Sequence, residues 1–140
     1  MSNNDRMLYL ISRAVTRLKY YSIEKFNSSG INITPSQMGI LFALSKKNGL
    51  MMSELSNLLN VDSSTLTRLA DKLEKQGFVE RKQSISDRRA LTLNITISGL
   101  SESAKAVLIA HEINNEIKSG FTDEEIRIFS RVLNSFIEKF

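Results

Sequence analysis

The sequence predicts a mainly α-helical fold with one small β-hairpin, and three consecutive patterns in the middle of the chain lead to this prediction. From Ser53 to Val61 apolar residues recur at helical spacing, and Asn60–Asp62 then has residue types that favour turns and helix starts. A second helical pattern follows in Ser63–Gly77, and after it two short alternating stretches flank a basic tip. Two helices joined by a short turn and followed by a hairpin form a winged helix-turn-helix.

The second helix of this motif has two different faces. Its apolar residues share the face that is expected to pack: Leu66, Leu69, Ala70 and Leu73. Polar residues lie opposite, with three more beside them: Ser64, Arg68, Asp71 and Lys75, flanked by Thr65, Thr67 and Lys72. The polar face is therefore free to contact a partner.

The hairpin is predicted after Gly77, which is expected to end the helix in a left-handed conformation. Phe78–Lys82 leads through the segment QSISDRR into Ala90–Ile95, where apolar residues alternate with Thr92 and Asn94. Between Lys72 and Arg89 there are six basic residues and three acidic ones, whereas the whole chain has a net charge of only +4. The basic surplus therefore lies on the motif, which suits a polyanionic partner.

Two helices are predicted before the motif. Apolar residues in Asp5–Phe26 recur at alternating spacings of four and three: Met7, Ile11, Ala14, Leu18 and Tyr21. Thr34, Pro35 and Gln37 then form the capping signature of a second helix, whose buried side is expected to contain Met38, Leu41, Phe42 and Leu44.

Two further helices are predicted after the hairpin. One runs from about Ile97 or Gly99 to Lys118, and the other begins at a second capping box formed by Thr122 and Glu125. Because apolar seams continue to both chain ends, a dimer built from the two ends is expected, with an interface of Met7, Ile11, Ile126, Phe129, Leu133, Phe136 and Phe140. Residues 1–140 then form one domain, in which 1–33 and 98–140 are dimerisation helices and 34–97 is the winged helix-turn-helix.

The composition argues against several function classes. The chain has no cysteine and one histidine, so thiolate chemistry is excluded and neither a metal site nor a cofactor is expected. No membrane span or export signal is recognisable, which predicts a cytoplasmic protein. No nucleophile and base pair or phosphate-binding glycine loop indicates an enzyme. The acids Asp123, Glu124 and Glu125 are expected to stabilise a helix start, and His111 to lie on a helix stripe.

The order of these elements resembles the MarR family of bacterial and archaeal transcription regulators over nearly the whole chain. The segment Leu66–Thr96 is similar to the reading helix and wing of that family, including the aspartate-any-arginine tip of Asp87, Arg88 and Arg89. Two positions depart from the pattern: Ser56 replaces a common alanine, and Ile97 replaces a usual polar residue. The Ser56 hydroxyl is expected to bond to a carbonyl of the preceding turn.

The resemblance implies a homodimer that places its reading helices in successive major grooves of an inverted-repeat operator. It makes Arg89 the minor-groove contact, Arg88 a second contact, Asp87 the carboxylate that holds an arginine in position, and Arg81 a phosphate contact. Contacts with bases or phosphates are implied for the following residues: Ser63, Ser64, Thr65, Thr67, Arg68 and Lys72, with Ser36 and Gln37 near the DNA backbone. The resemblance also implies repression relieved by a small aromatic or phenolic effector, bound in a cleft flanked by Arg17, Tyr20 and Tyr21.

Two alternatives remain open. An arginine fork suits guanine edges, which favours Arg68 as a base-reading residue, but Arg68 and Lys72 could instead form a solvated face paired with Asp71 and Glu74. At the level of the whole protein, the alternative is a winged-helix module that binds another protein and does not read DNA.

Overall fold

The computed structural model describes residues 6–140, and the predicted mainly helical winged fold is confirmed. The described chain contains six helices and three short strands in the following order: α1 Met7–Ser28, α2 Pro35–Lys46, β1 Leu50–Met51, α3 Met52–Leu59, α4 Ser63–Lys75, β2 Val79–Gln83, β3 Leu91–Ile95, α5 Ile97–Lys118 and α6 Asp123–Lys139. The predicted start of the first helix, Asp5, lies outside the described residues.

The strands form one antiparallel sheet in the order β1-β3-β2. The predicted hairpin is present, with Val79 opposite Ile95 and Gln83 opposite Leu91. The short strand β1 was not predicted, because two residues are too few to show an alternating pattern. It pairs Leu50 with Leu93 and thereby joins the start of α3 to the hairpin.

The predicted caps at the helix starts, and the glycine predicted to end α4, are present in the structure. At α2, the Thr34 hydroxyl accepts the Gln37 N–H at 3.2 Å, and the Gln37 side chain accepts the Thr34 N–H at 2.9 Å. Thr122 and Glu125 form the same reciprocal pair at α6. Gly77 ends α4 with a φ of +79°, which glycine adopts without steric cost.

The core lies where α2, α3 and α4 pack together against the sheet. Fully buried side chains come from each of these elements: Ile40, Leu41, Leu44, Leu55, Leu66, Leu73, Val79 and Leu93. The predicted burial of Phe42 was wrong, since its side chain is 45% exposed, and Leu58 of α3 is also largely exposed. Both line an open groove between α2 and α3, and the Lys46 ammonium lies over the Phe42 ring, 5.2 Å from its centroid.

The turn between α3 and α4 uses Ser56 differently from the prediction. Its hydroxyl donates to the Val61 carbonyl at 2.6 Å, beyond the helix end, instead of bonding to the preceding turn. Asn60 adopts a left-handed φ of 53° between them, which asparagine tolerates better than most residues. Ser56 therefore helps to close the turn that positions α4.

The chain divides into two compact units, one running to Ile109 and one from Ala110 to Phe140. In the first unit α1 buries only Ser22 and Phe26, so that Met7, Leu18 and Tyr21 of its apolar seam remain exposed. In the second unit α6 has no buried residue at all. Within residues 6–140, no helix combines the length and apolar character that crossing a bilayer requires.

Candidate nucleic-acid interface

Helix α4 is anchored through one face and leaves the other accessible. Leu66, Ala70 and Leu73 are buried, as predicted, whereas the side chains on the outer face are exposed: Ser63, Ser64, Thr67, Arg68, Lys72 and Lys75. Arg68, Lys72 and Lys75 are spaced by four and three residues, so they line one side of the helix. The outer face of α4 is therefore basic.

Asp62 caps the start of α4 and was not identified as a functional residue from the sequence. Its carboxylate accepts the Thr65 N–H at 3.0 Å and the Thr65 hydroxyl at 2.6 Å, and it also accepts the Ser64 hydroxyl. The bonds from Ser64 and Thr65 hold the pKa of Asp62 well below its usual range, so the carboxylate stays ionised. An aspartate three residues before Thr65 was the sequence signal for this cap.

This cap divides the predicted hydroxyl contacts into two groups. Ser64 and Thr65 already donate their hydroxyl protons to Asp62, so those protons are not available for phosphate oxygens. In the described chain the hydroxyls of Ser63 and Thr67 form no hydrogen bond. Ser63 and Thr67 are therefore the better candidates for direct donation to DNA.

Arg81 links the wing to the reading helix. From β2 its guanidinium bonds to Asp71 at 2.6 Å and to Glu74 at 3.3 Å, both on α4. The alternative in which Asp71 and Glu74 pair with Arg68 and Lys72 is therefore wrong, because both acids bond to Arg81. The phosphate contact of Arg81 stays a prediction, and it would compete with the two carboxylates.

Because Arg81 pairs with these acids, the basic outer face of α4 has no acidic side chain in the described chain that neutralises its charge. Within residues 6–140, Arg68 and Lys72 form no ion pair or hydrogen bond. Both α4 acids that could have neutralised them are held by Arg81. Free guanidinium and ammonium groups on one helix face can form bonds with base edges and phosphates.

The wing tip presents two more free arginines. Arg88 and Arg89 are exposed, and in the described chain neither guanidinium has a partner. Asp87 was predicted to hold an arginine in position, and it does contact Arg89, but through the backbone: its carboxylate accepts the Arg89 N–H at 3.0 Å. Asp87 therefore shapes the tip and leaves the guanidinium groups free.

The start of α2 contributes less than predicted. Gln37 is only 3% exposed, and its side chain is occupied by the cap at Thr34 and by Gln76 at 3.3 Å. The prediction of a DNA contact by the Gln37 side chain is corrected accordingly, because a buried amide cannot reach a phosphate. Ser36 remains exposed.

The residues predicted to flank a ligand cleft share one face of α1. Arg17, Tyr20 and Tyr21 line an open groove of about 690 Å³, together with Tyr9 and Arg13. The Arg13 guanidinium lies over the Tyr9 ring, 5.5 Å from its centroid. Aromatic rings beside arginines can bind a planar anion. Among residues 6–140, no group of three or more histidine or acidic side chains is arranged to hold a metal ion.

Comparison with known proteins agrees with this geometry. A family model described as the MarR family matches residues 33–91. The uncharacterized HTH-type transcriptional regulator YsmB of Bacillus subtilis strain 168 is 32% identical over 101 residues, which cover 72% of this chain and 69% of that protein. The aligned stretch covers a different share of other relatives: 53% of the transcriptional repressor MprA and 89% of the multiple antibiotic resistance protein MarR, both of Escherichia coli strain K12.

Two solved structures share the fold. The transcriptional repressor CouR, bound to a 23-mer DNA duplex, has a TM-score of 0.86 at 21% identity, covering 96% of this chain and 94% of CouR. The PcaV transcriptional regulator from Streptomyces coelicolor, in complex with its natural ligand, has a TM-score of 0.79 at 18% identity and 91% coverage of both chains. The family match, the YsmB relative and the winged helix-turn-helix together establish that this chain belongs to the MarR family of transcriptional regulators, which are not enzymes.

Proposed function

We propose that this protein is a homodimeric, sequence-specific DNA-binding repressor that acts in the cytoplasm. One observation carries the proposal: Arg81 holds both acids Asp71 and Glu74, which leaves Arg68 and Lys72 free on the outer face of α4. The same hairpin presents Arg88 and Arg89 at its tip. A basic helix fits the major groove, and a narrow minor groove attracts arginine. CouR, which shares the fold, is a repressor solved on a DNA duplex.

The proposed dimer follows from apolar surfaces that a single chain leaves uncovered. On α6, Ile126, Phe129, Leu133 and Phe136 repeat at spacings of three and four, and none of them is buried. On α1, Met7 is exposed and Ile11 is half-buried. Two-fold pairing through such surfaces would present two reading helices, so the operator is an inverted repeat with half-sites about one helical turn apart.

The experiment that tests this function is selection of bound duplexes from a random pool at about 0.15 M salt, where non-specific phosphate attraction is largely screened. Enrichment of an inverted repeat would support a dimeric operator reader. Binding without enrichment, or no binding, would contradict the proposal and favour a winged-helix module that binds another protein.

Arg68 is the residue most suited to read a base. Replacing Arg68 by alanine is expected to weaken binding to the selected duplex by roughly 1 to 3 kcal/mol and to relax the preference at one base position. The measurement is fluorescence anisotropy against duplexes that differ by single base pairs. Lys72→Ala is the matched control on the same face, since a lost phosphate contact weakens all duplexes equally. A uniform loss for Arg68→Ala as well would contradict base reading.

The proposed effector is a small aromatic or phenolic acid that binds the α1 face formed by Arg17, Tyr20 and Tyr21. PcaV, with the same fold, was solved with its natural ligand. A ligand that prefers the DNA-incompetent arrangement of the reading helices would release the operator. With benzoate and 4-hydroxybenzoate as probes, we expect a higher unfolding temperature and weaker DNA binding. A ligand at about 100 times its Kd stabilises by about 2.7 kcal/mol.

A matched pair of variants tests the location of this effector site. Arg17→Gln should abolish the response to the probes, whereas Lys19→Gln, on the same helix but outside the groove, should preserve it. An unchanged response in Arg17→Gln would place the effector elsewhere, and no response to any probe in the unmodified protein would count against this class of effector.

A further inference from the structure

The tip of the wing, residues 84–90, exposes an isoleucine completely. Among residues 6–140, no large apolar side chain is more exposed than Ile85. Polar and turn-forming residues are favoured at hairpin tips, yet the Ile85 side chain is fully exposed within residues 6–140. A single apolar residue on a surface needs no special explanation. Ile85 is informative because of its position in the tip, two residues after β2 ends and three residues before Arg88.

Hydrogen bonds within the tip hold Ile85 in a defined orientation. The Ser84 N–H donates to the Ala90 carbonyl at 2.9 Å, and the Gln83 side-chain amide donates to the Arg88 carbonyl at 2.6 Å. The hydroxyls of the two neighbours, Ser84 and Ser86, lie 3.1 Å apart. Because both sides of Ile85 are tied down and its branched side chain has few rotamers, ordering it against a partner costs little entropy.

The chemistry of the tip suits the DNA minor groove. Arg88 and Arg89 supply positive charge for its negative potential, and neither guanidinium group has a partner within the described chain. Minor-groove proteins also place apolar side chains, including isoleucine, in the groove, where many insert between base steps. A tip that carries both kinds of side chain can contact phosphates and sugars at the same time.

We propose that Ile85 is a DNA-contact residue, which packs against the deoxyribose walls of the minor groove flanking each half-site. This inference rests on the proposed DNA-binding function. Its contribution comes from burial of apolar surface, and it is therefore independent of salt, in contrast to the contribution of the neighbouring arginines.

The test uses the 140-residue protein and the duplex selected from the random pool. Ile85→Ser is expected to bind about tenfold more weakly, which corresponds to about 1.4 kcal/mol, with an unchanged slope of affinity against salt. The DNA affinity of Ile85→Val should lie between those of Ile85→Ser and the unmodified protein. Arg89→Ala serves as the comparator, because it should lower the salt slope by about one. Hydroxyl-radical footprinting should show that Ile85→Ser loses protection of the sugars beneath the wing.

The matched control is Ile97→Ser, which removes an isoleucine that is 88% exposed at the start of α5, outside the wing. It should bind like the unmodified protein, and thermal melting should be the same for both serine variants. Unchanged affinity and sugar protection in Ile85→Ser, or an equal loss in Ile97→Ser, would overturn the contact. If the unmodified protein selects no duplex, the proposed function itself fails, so the two failures can be distinguished.

Discussion

Replacing Gly99 by alanine is expected to lower the free energy of unfolding by about 3 kcal/mol, at the upper end of what overpacking usually costs. A Cβ at this position would lie 2.1 Å from the Phe78 carbonyl oxygen and 2.8 Å from the Ile95 side chain. That carbonyl accepts the Thr96 N–H at 3.0 Å, and the Thr96 hydroxyl accepts the Gly99 N–H at 3.0 Å. Backbone would therefore have to move where the wing meets α5.

Urea denaturation measures this effect, and Gly39→Ala is the matched control. Gly39 also lies within a helix, but a Cβ there would meet only the Leu59 side chain, at an ordinary 3.7 Å. Because alanine favours helices over glycine by up to about 1 kcal/mol, Gly39→Ala should be neutral or stabilising. Equal free energies of unfolding for the two variants would show that the close approach at Gly99 relaxes without cost.

Replacing Leu133 by glutamate is expected to convert the proposed dimer to monomers. Leu133 is 43% exposed in the single chain and lies in the middle of the apolar stripe of α6. In a two-fold interface the new carboxylate would be buried twice without a partner, at a cost of several kcal/mol per copy. Affinity for the operator should fall by on the order of a hundredfold, because the two half-sites are then bound independently.

Sedimentation velocity and anisotropy measure these two effects. Asn134→Glu adds the same charge to the neighbouring position on the polar side of α6, and it should leave both the dimer and the DNA affinity intact. A Leu133→Glu protein that remains dimeric would mean that α6 does not form the interface. A monomeric variant with full operator affinity would instead separate DNA reading from dimerisation.

Helix boundaries could be predicted well because their signals are local. The reciprocal caps at Thr34 and Thr122, and the glycine after α4, depend on residues within one turn of each other. The apolar side of α4 was also readable, since helical geometry alone assigns Leu66, Ala70 and Leu73 to one face. Strand β1 was not predictable, because its pairing with β3 is a contact between residues more than forty positions apart.

The chemistry of the candidate site was only partly predictable. Residue types indicated a basic reading helix and a basic wing, but not which groups are free. Whether Asp71 neutralises Arg68 or Arg81 depends on how β2 folds back onto α4. The family resemblance implied that Gln37 lies near the DNA backbone, whereas tertiary packing buries its side chain, which donates to the Gln76 side chain just after α4.

The sequence by itself determined the order of elements, their caps, the apolar faces and the basic wing, since these follow from spacing along a single segment. Only the tertiary structure decided which charges are paired, which hydroxyls are already engaged by Asp62, and why position 99 has no room for a side chain. The physical reason is distance. Hydrogen bonds, ion pairs and close contacts act over a few ångströms between residues that are far apart in the chain, and folding brings those residues together.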